Sequence, residues 1–213
     1  IYDISRYSGM GGNMLGKTHM AVGIALTLAV TRPQSLPEII LASGAGAFGA
    51  LVPDIDIRPS KLYKDAGRIA VSAIPLLLLV ILTDFITRSG VTSRILSASN
   101  IKGIVTGLLL FTGICVFGKR QPHRSFTHSF LALALLSLSV WMVCKELVLY
   151  FATGFLSHIL ADLFNKKKVQ VLYPLSGGVC FDMFSAGGMA NDIFFAAGCI
   201  ISVAEIISLS LFA

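Results

Sequence analysis

Long apolar runs, separated by short segments that hold nearly all of the charge, constrain this chain more than any other feature. Between Arg68 and Arg88 the only charged residue is Asp84, and between Lys102 and Lys119 there is none. A helix rises about 1.5 Å per residue, so runs of this length match the ~30 Å hydrocarbon layer of a bilayer. Seven helical segments are expected: residues 19–31, 38–51, one between Arg68 and Arg88, one between Lys102 and Lys119, then 126–143, 147–164 and 193–213. The first two reach only about 20 Å each and are joined by the Pro-containing turn 32–37, which predicts a short or re-entrant hairpin. The second is rich in Gly and Ala over residues 42–47, which permits close helix packing in lipid.

With 55% apolar and 13% charged residues in 213, the apolar excess must face lipid rather than a larger core. The predicted fold is an all-α, polytopic transmembrane bundle forming a single domain over residues 14–213. Residues 1–13 read differently and are expected to be a non-native remnant or a disordered N-terminal extension, with Met14 as the natural start. The net charge of +6 lies between apolar runs and forms no stripe, which argues against nucleic acid. Cys115, Cys144, Cys180 and Cys199 are widely spaced and follow no metal or disulfide pattern; they read as small apolar packing residues.

Threading the helices alternately through the bilayer gives the first functional argument. His19 starts helix one. Asp54 and Asp56 follow helix two, His123 and His128 follow helix four, and His158 and Asp162 close helix six. All four histidines therefore converge on one membrane face. Twelve Lys and Arg fall on that face, among them Lys17, Arg124 and the Lys166, Lys167, Lys168 run, against five on the other: Arg32, Arg88, Arg94, Lys102 and Lys145. The positive-inside rule then puts the cluster in the cytoplasm.

The clusters have the composition of metal chemistry. His158 and Asp162 stand at i and i+4 and share a helix face, so they can grip one ion, although a structural His–Asp hydrogen bond is the commoner use of such a pair. Asp54 and Asp56, if extended, point the same way and call for a cation, whereas a plain helix-ending turn explains them as well. The segment His123-Arg124-Ser125-Phe126-Thr127-His128 offers imidazoles for a transition metal and an arginine for an anion. Its bland alternative is a helix cap by Ser125 or Thr127, with Arg124 on lipid phosphates. His19, beside Lys17 and Thr18, would alone read as an interfacial start. The joint pattern points to a hydrolytic metal centre. Glu205, inside the last apolar run, is a further functional candidate by position, and Asp182 and Asp192 are candidate outer partners.

At four elements the sequence resembles the YdjM-like family of membrane-bound metal-dependent hydrolases, bacterial inner-membrane proteins associated with LexA regulation. These are Gly16-Lys17-Thr18-His19, Pro53-Asp54-Ile55-Asp56, His123-Arg124-Ser125-Phe126-Thr127-His128-Ser129 and the stretch from Gly154 to Asp162. The resemblance implies a metal and hydrolysis without fixing a substrate. The ligand pattern is also reminiscent of the all-helical zinc-dependent phospholipase C group, as an analogy only.

The expectation is thus a membrane hydrolase with His19, Asp54, Asp56, His128, His158 and Asp162 as metal ligands. His123, Arg124 and Asp56 would take catalytic roles, and Arg124, Ser125 and Lys17 would hold an anionic group. Zinc is favoured by the imidazoles, with manganese or iron admitted by the carboxylates. Membrane lipid is both environment and candidate substrate, as a phospholipid or other lipid-linked phosphate ester, and no nucleic-acid partner is expected. The rivals are a metal-ion or proton transporter and a non-enzymatic membrane scaffold or regulator.

Overall fold

Apolar runs of this kind fold as helices because lipid offers no partner for a free backbone N–H or C=O. The computed structural model describes residues 14–56, 70–90, 92, 93, 101–183 and 188–212; the side chains of Asp56, of residues 70–77 and of Phe212 lie outside that set. The expected extension 1–13 also lies outside the described residues, as do the basic residues Arg58, Lys61, Lys64, Arg68 and Arg94.

Seven α-helices occur among the described residues: α1 (Gly16–Thr31), α2 (Leu36–Leu51), α3 (Ala70–Thr87), α4 (Ile101–Lys119), α5 (Phe130–Val143), α6 (Val148–Leu163) and α7 (Met189–Phe212). Four helical stretches there are long and apolar enough to cross a membrane: Leu36–Ile55, Ile101–Lys119, Lys145–Leu163 and Met189–Leu211. Leu78–Thr87 and Phe130–Val143 are shorter apolar helices. This is a helical membrane bundle.

The second helix is longer than its apolar run suggested. It continues from α2 into a 3-10 turn, Val52–Asp56, and its apolar stretch Leu36–Ile55 reaches 20 residues. Pro53 has no N–H and its ring crowds the preceding turn, so the chain tightens there rather than stopping. Asp54 and Asp56 accordingly sit on a 3-10 turn. The extended geometry that would have aligned their carboxylates is not adopted.

The fifth helix starts later than expected. Neither Ser125 nor Thr127 caps it. Phe126–His128 forms a separate 3-10 turn, and the Ser129 hydroxyl accepts the Ala132 N–H at the head of α5. His128 is thereby lifted off the helix and turned inward.

Glycine sets how closely the central helices approach. A Cβ on Gly154 of α6 would land on the Gly46 carbonyl oxygen of α2, and one on Gly49 would land on the Phe151 carbonyl oxygen. The α2 and α6 backbones therefore touch directly, as small residues allow in lipid. Below that contact Phe48, Phe111 and Phe151 pack with ring centroids 5.9–6.0 Å apart, and Phe155 lies 6.0 Å from Phe151. α7 lies along α1, with Gly198 against Ala21 and the Ser202 hydroxyl donating to the Ala21 carbonyl at 3.3 Å. Leu82, Phe85, Leu109, Leu149, Ile200 and Leu211 point outward, as a lipid-facing surface requires.

Residues 164–183, which follow α6, fold back as a strap. Val169 and Val179 pair as an antiparallel bridge. The Gln170 N–H donates to the Arg124 carbonyl at 2.9 Å and the Phe130 N–H to the Val171 carbonyl at 3.0 Å. The strap is thus fixed to the turn that carries His128.

Candidate metal centre

Four chain segments meet at one end of the bundle. α1 supplies His19 from its first turn, the turn after α2 supplies Asp54, the turn before α5 supplies His128, and the last two turns of α6 supply His158 and Asp162. His19, His128, His158 and Asp162 are buried, and Asp54 is partly so. Two overlapping groups have ligand atoms within 4.8 Å of one another: His19, His158 and Asp162, and Asp54, His128 and His158.

The distances test whether one ion fits. His158 Nε2 lies 3.2 Å from His128 Nε2, 3.6 Å from Asp54 Oδ1 and 3.8 Å from Asp162 Oδ2. His128 Nε2 lies 3.3 Å from Asp162 Oδ2 and 3.8 Å from Asp54 Oδ1. Bonds of about 2.0–2.1 Å at tetrahedral angles require ligand–ligand edges of about 3.3–3.5 Å. The edges that join Asp54, His128 and His158, at 3.2–3.8 Å, lie close to that value, and the donor set suits a divalent ion. His19 stands beside it, stacked on His158 with centroids 3.8 Å apart and with Nε2 3.8 Å from Asp162 Oδ1.

The histidines are aimed from behind. His158 Nδ1 lies 2.7 Å from the Ala50 carbonyl, which can only accept, so Nδ1 carries the proton and Nε2 is left as a lone pair. A metal-ligating histidine is held in this way by a backbone carbonyl on its other nitrogen. His128 Nδ1 is 3.0 Å from the Thr127 hydroxyl. Thr127 is in turn packed on Gly118 of α4, where a Cβ would fall 2.6 Å from its Cγ2.

Arg124 is placed differently from a surface anion hook. It is buried, its Nη2 donates to Asp162 Oδ1 at 2.9 Å and its Nη1 to the Lys167 carbonyl at 2.8 Å. Its backbone is left-handed, with φ 64°, which turns the side chain in beneath the strap. The Ser125 hydroxyl is engaged with the Pro122 carbonyl. Lys17 is exposed and its Nζ lies 4.8 Å from the centroid of Phe195 on α7. His123 is half-buried at the rim, its ring edge-on to His128 with centroids 5.1 Å apart, and belongs to neither ligand group. The Asp56 side chain lies outside the described residues.

Sequence reasoning overlooked Asn191, in the first turn of α7. Its Oδ1 accepts the Leu15 N–H at 3.1 Å and the Thr18 hydroxyl at 2.9 Å. No side chain of its own caps α1, so Asn191 does so from across the bundle, one residue from His19. Asp192, expected as an outer partner, instead lies 3.4 Å from the Asn191 amide nitrogen. A polar residue in the first turn of an otherwise apolar span was the available signal. Glu205 lies far from the centre along α7, where it lines a cavity of about 240 Å³ with Arg32 and Ser208.

A protein of Bacillus subtilis (strain 168) printed as "Uncharacterized protein YvsG" is 25% identical over 187 residues, which cover 87% of this chain and 89% of the relative. No solved structure matches the chain. The family description "YdjM inner membrane protein" matches residues 14–208, a stretch that holds all five converging His and Asp residues. The chain belongs to the YdjM inner membrane protein family.

Proposed function

We propose that the chain is a metal-dependent hydrolase of the membrane, acting on a phospholipid or other lipid-linked phosphate ester from the cytoplasmic face. One observation carries the reading. The lone pair of His158 Nε2 is aimed, by the Ala50 carbonyl behind it, into a buried space shared with His128 Nε2 and two carboxylates. A buried lone pair facing two carboxylates is repelled unless a proton or a cation lies between them. With neutral imidazoles, Asp54 and Asp162 outweigh the single charge of Arg124, which favours a divalent ion, zinc before manganese or iron.

Such an ion supplies Lewis acidity, which polarises a scissile ester and acidifies water. The chain supplies the rest. Arg124 holds Asp162 by one oxygen and so orients the other toward His128; it acts as a positioning residue. His123, at the rim, is the group placed to take up or return a proton. The basic residues of this face favour an anionic head group.

The test is elemental mass spectrometry on detergent-purified protein, wild type beside Asp162→Ala and His158→Ala, followed by lipid hydrolysis assays. Near-stoichiometric metal in the wild type, reduced in both variants together with phosphate-ester hydrolysis, is the expected result. Metal-free wild type after incubation with zinc, manganese and iron would sink the reading, as would full activity in both variants.

A further inference from the structure

α4 touches α5 toward one end and the 3-10 turn before α5 at the other, and stands apart from α5 between them. Near one end a Cβ on Gly107 would lie 2.7 Å from the Ser139 carbonyl oxygen. Near the other, Gly118 is closed on Thr127. Between them, a Cβ on Gly113 would meet nothing within 4 Å, and a cleft of about 460 Å³ opens there. Its walls include Leu109, Gly113, Phe117, Leu131, Phe126 and Tyr173.

We propose that this cleft holds the hydrocarbon chain of a lipid whose head group lies at the His/Asp centre, an inference that rests on the hydrolase reading above. Three features support it. The first is depth: Leu109 to Phe117 lie within the span Ile101–Lys119, where the surroundings are lipid tails and an apolar cleft is filled by one. The second is direction. The cleft ends on Phe126, which packs edge-on against Phe117 at 4.8 Å and Tyr173 at 5.4 Å. Phe126 opens the 3-10 turn that closes with His128, so one wall of the cleft stands two residues along the chain from a candidate ligand.

The third is the lid of the cleft. Tyr173 belongs to the strap, whose neighbouring residues Gln170 and Val171 are bonded to Arg124 and Phe130. The same strap that borders the chain site therefore borders Arg124, the partner of Asp162. A single amphiphile can lie with its tail between α4 and α5 and its ester beside the turn. Gly113 then sets how much chain the cleft accepts.

The experiment uses the full chain in phosphatidylcholine nanodiscs containing a phospholipid with a diazirine in the middle of one acyl chain. After illumination, labelled residues are mapped by peptide mass spectrometry, and metal content is read on the same samples. Labelling severalfold higher at Phe117, Leu131 and Leu135 than at the outward Leu149 and Ile200 is expected. Gly113→Trp, which has open space to enter, should abolish that excess with metal content unchanged. Equal labelling of cleft and outward residues would mean annular lipid only and overturn the proposal, as would an excess that survives Gly113→Trp. An unlabelled cleft in metal-replete protein overturns this inference alone; metal-free protein with a labelled cleft overturns the hydrolase reading and spares the chain site.

Discussion

Gly154→Ala puts one methyl group into the contact between α2 and α6 and should disable the centre without touching a ligand. The added Cβ would fall on the Gly46 carbonyl oxygen, far inside the 3.0 Å that real Cβ atoms respect. Backbone cannot rotate away, so the helices must part by about 1 Å, an overpacking strain of typically about 1–3 kcal/mol. α2 carries the Ala50 carbonyl and leads into Asp54, while α6 carries His158 and Asp162. A 1 Å separation stretches the 2.7 Å contact of His158 Nδ1 with Ala50 to about 3.7 Å, beyond hydrogen-bond range. It also stretches the 3.6 Å edge between His158 Nε2 and Asp54 Oδ1 to about 4.6 Å, more than twice a 2.1 Å bond, so one ion cannot hold both. Losing an outer partner alone costs about 10–100-fold in metal affinity, and losing a ligand costs more. Competitive titration against a zinc chelator reads this, with circular dichroism to confirm retained helix. Gly113→Ala is the control, because its Cβ meets nothing. Wild-type zinc affinity in folded Gly154→Ala would refute the claim that this contact sets the spacing of the ligands.

Two further outcomes follow from the partners behind the ligands. Asn191→Ala leaves the Leu15 N–H and the Thr18 hydroxyl without their buried acceptor, at a cost of about 1–3 kcal/mol; zinc affinity should fall about tenfold as His19 loosens, and Asn191→Asp, which keeps an acceptor, should recover most of it in the same chelator titration. Arg124→Ala strips Asp162 of its countercharge, which for a buried pair costs about 3–5 kcal/mol. Thermal unfolding in detergent should show a large loss of stability in chelator and a smaller one in excess zinc, since the cation replaces the missing charge; an equal loss in both conditions would show that no ion binds next to Asp162.

The helices were legible because lipid imposes length. Apolar runs between charges located all seven, and alternate threading placed His19, Asp54, His128, His158 and Asp162 at one end, where the structure brings them together. What escaped was local and steric. Ser129 and not Ser125 caps α5, a choice made by how the 3-10 turn Phe126–His128 packs rather than by residue type, since all the nearby hydroxyls suit the role. The length of the α2 span depended on a proline that tightens the helix instead of ending it. Arg124 reads as an anion hook from its neighbours, yet its left-handed backbone carries it inward to Asp162. Asn191 was invisible as a partner because its contacts lie 173 and 176 residues away along the chain.

The order in which the ligands occur along the chain has a consequence for assembly. His19 and Asp54 come early, His128 in the middle, and His158 and Asp162 only at the end of α6. Synthesis proceeds from the N-terminus, and binding energy is released only when the ligand set is complete. No ion can therefore help the first hairpin enter the bilayer. The Gly46–Gly154 and Gly49–Phe151 contacts between α2 and α6 must wait for α6 as well, so the docking of α6 and ion capture would become one late event. The strap, which follows α6, then folds over Arg124 once that event is done. On the proposed metal reading, loading would mark the maturity of the protein in the membrane rather than a step on the way into it.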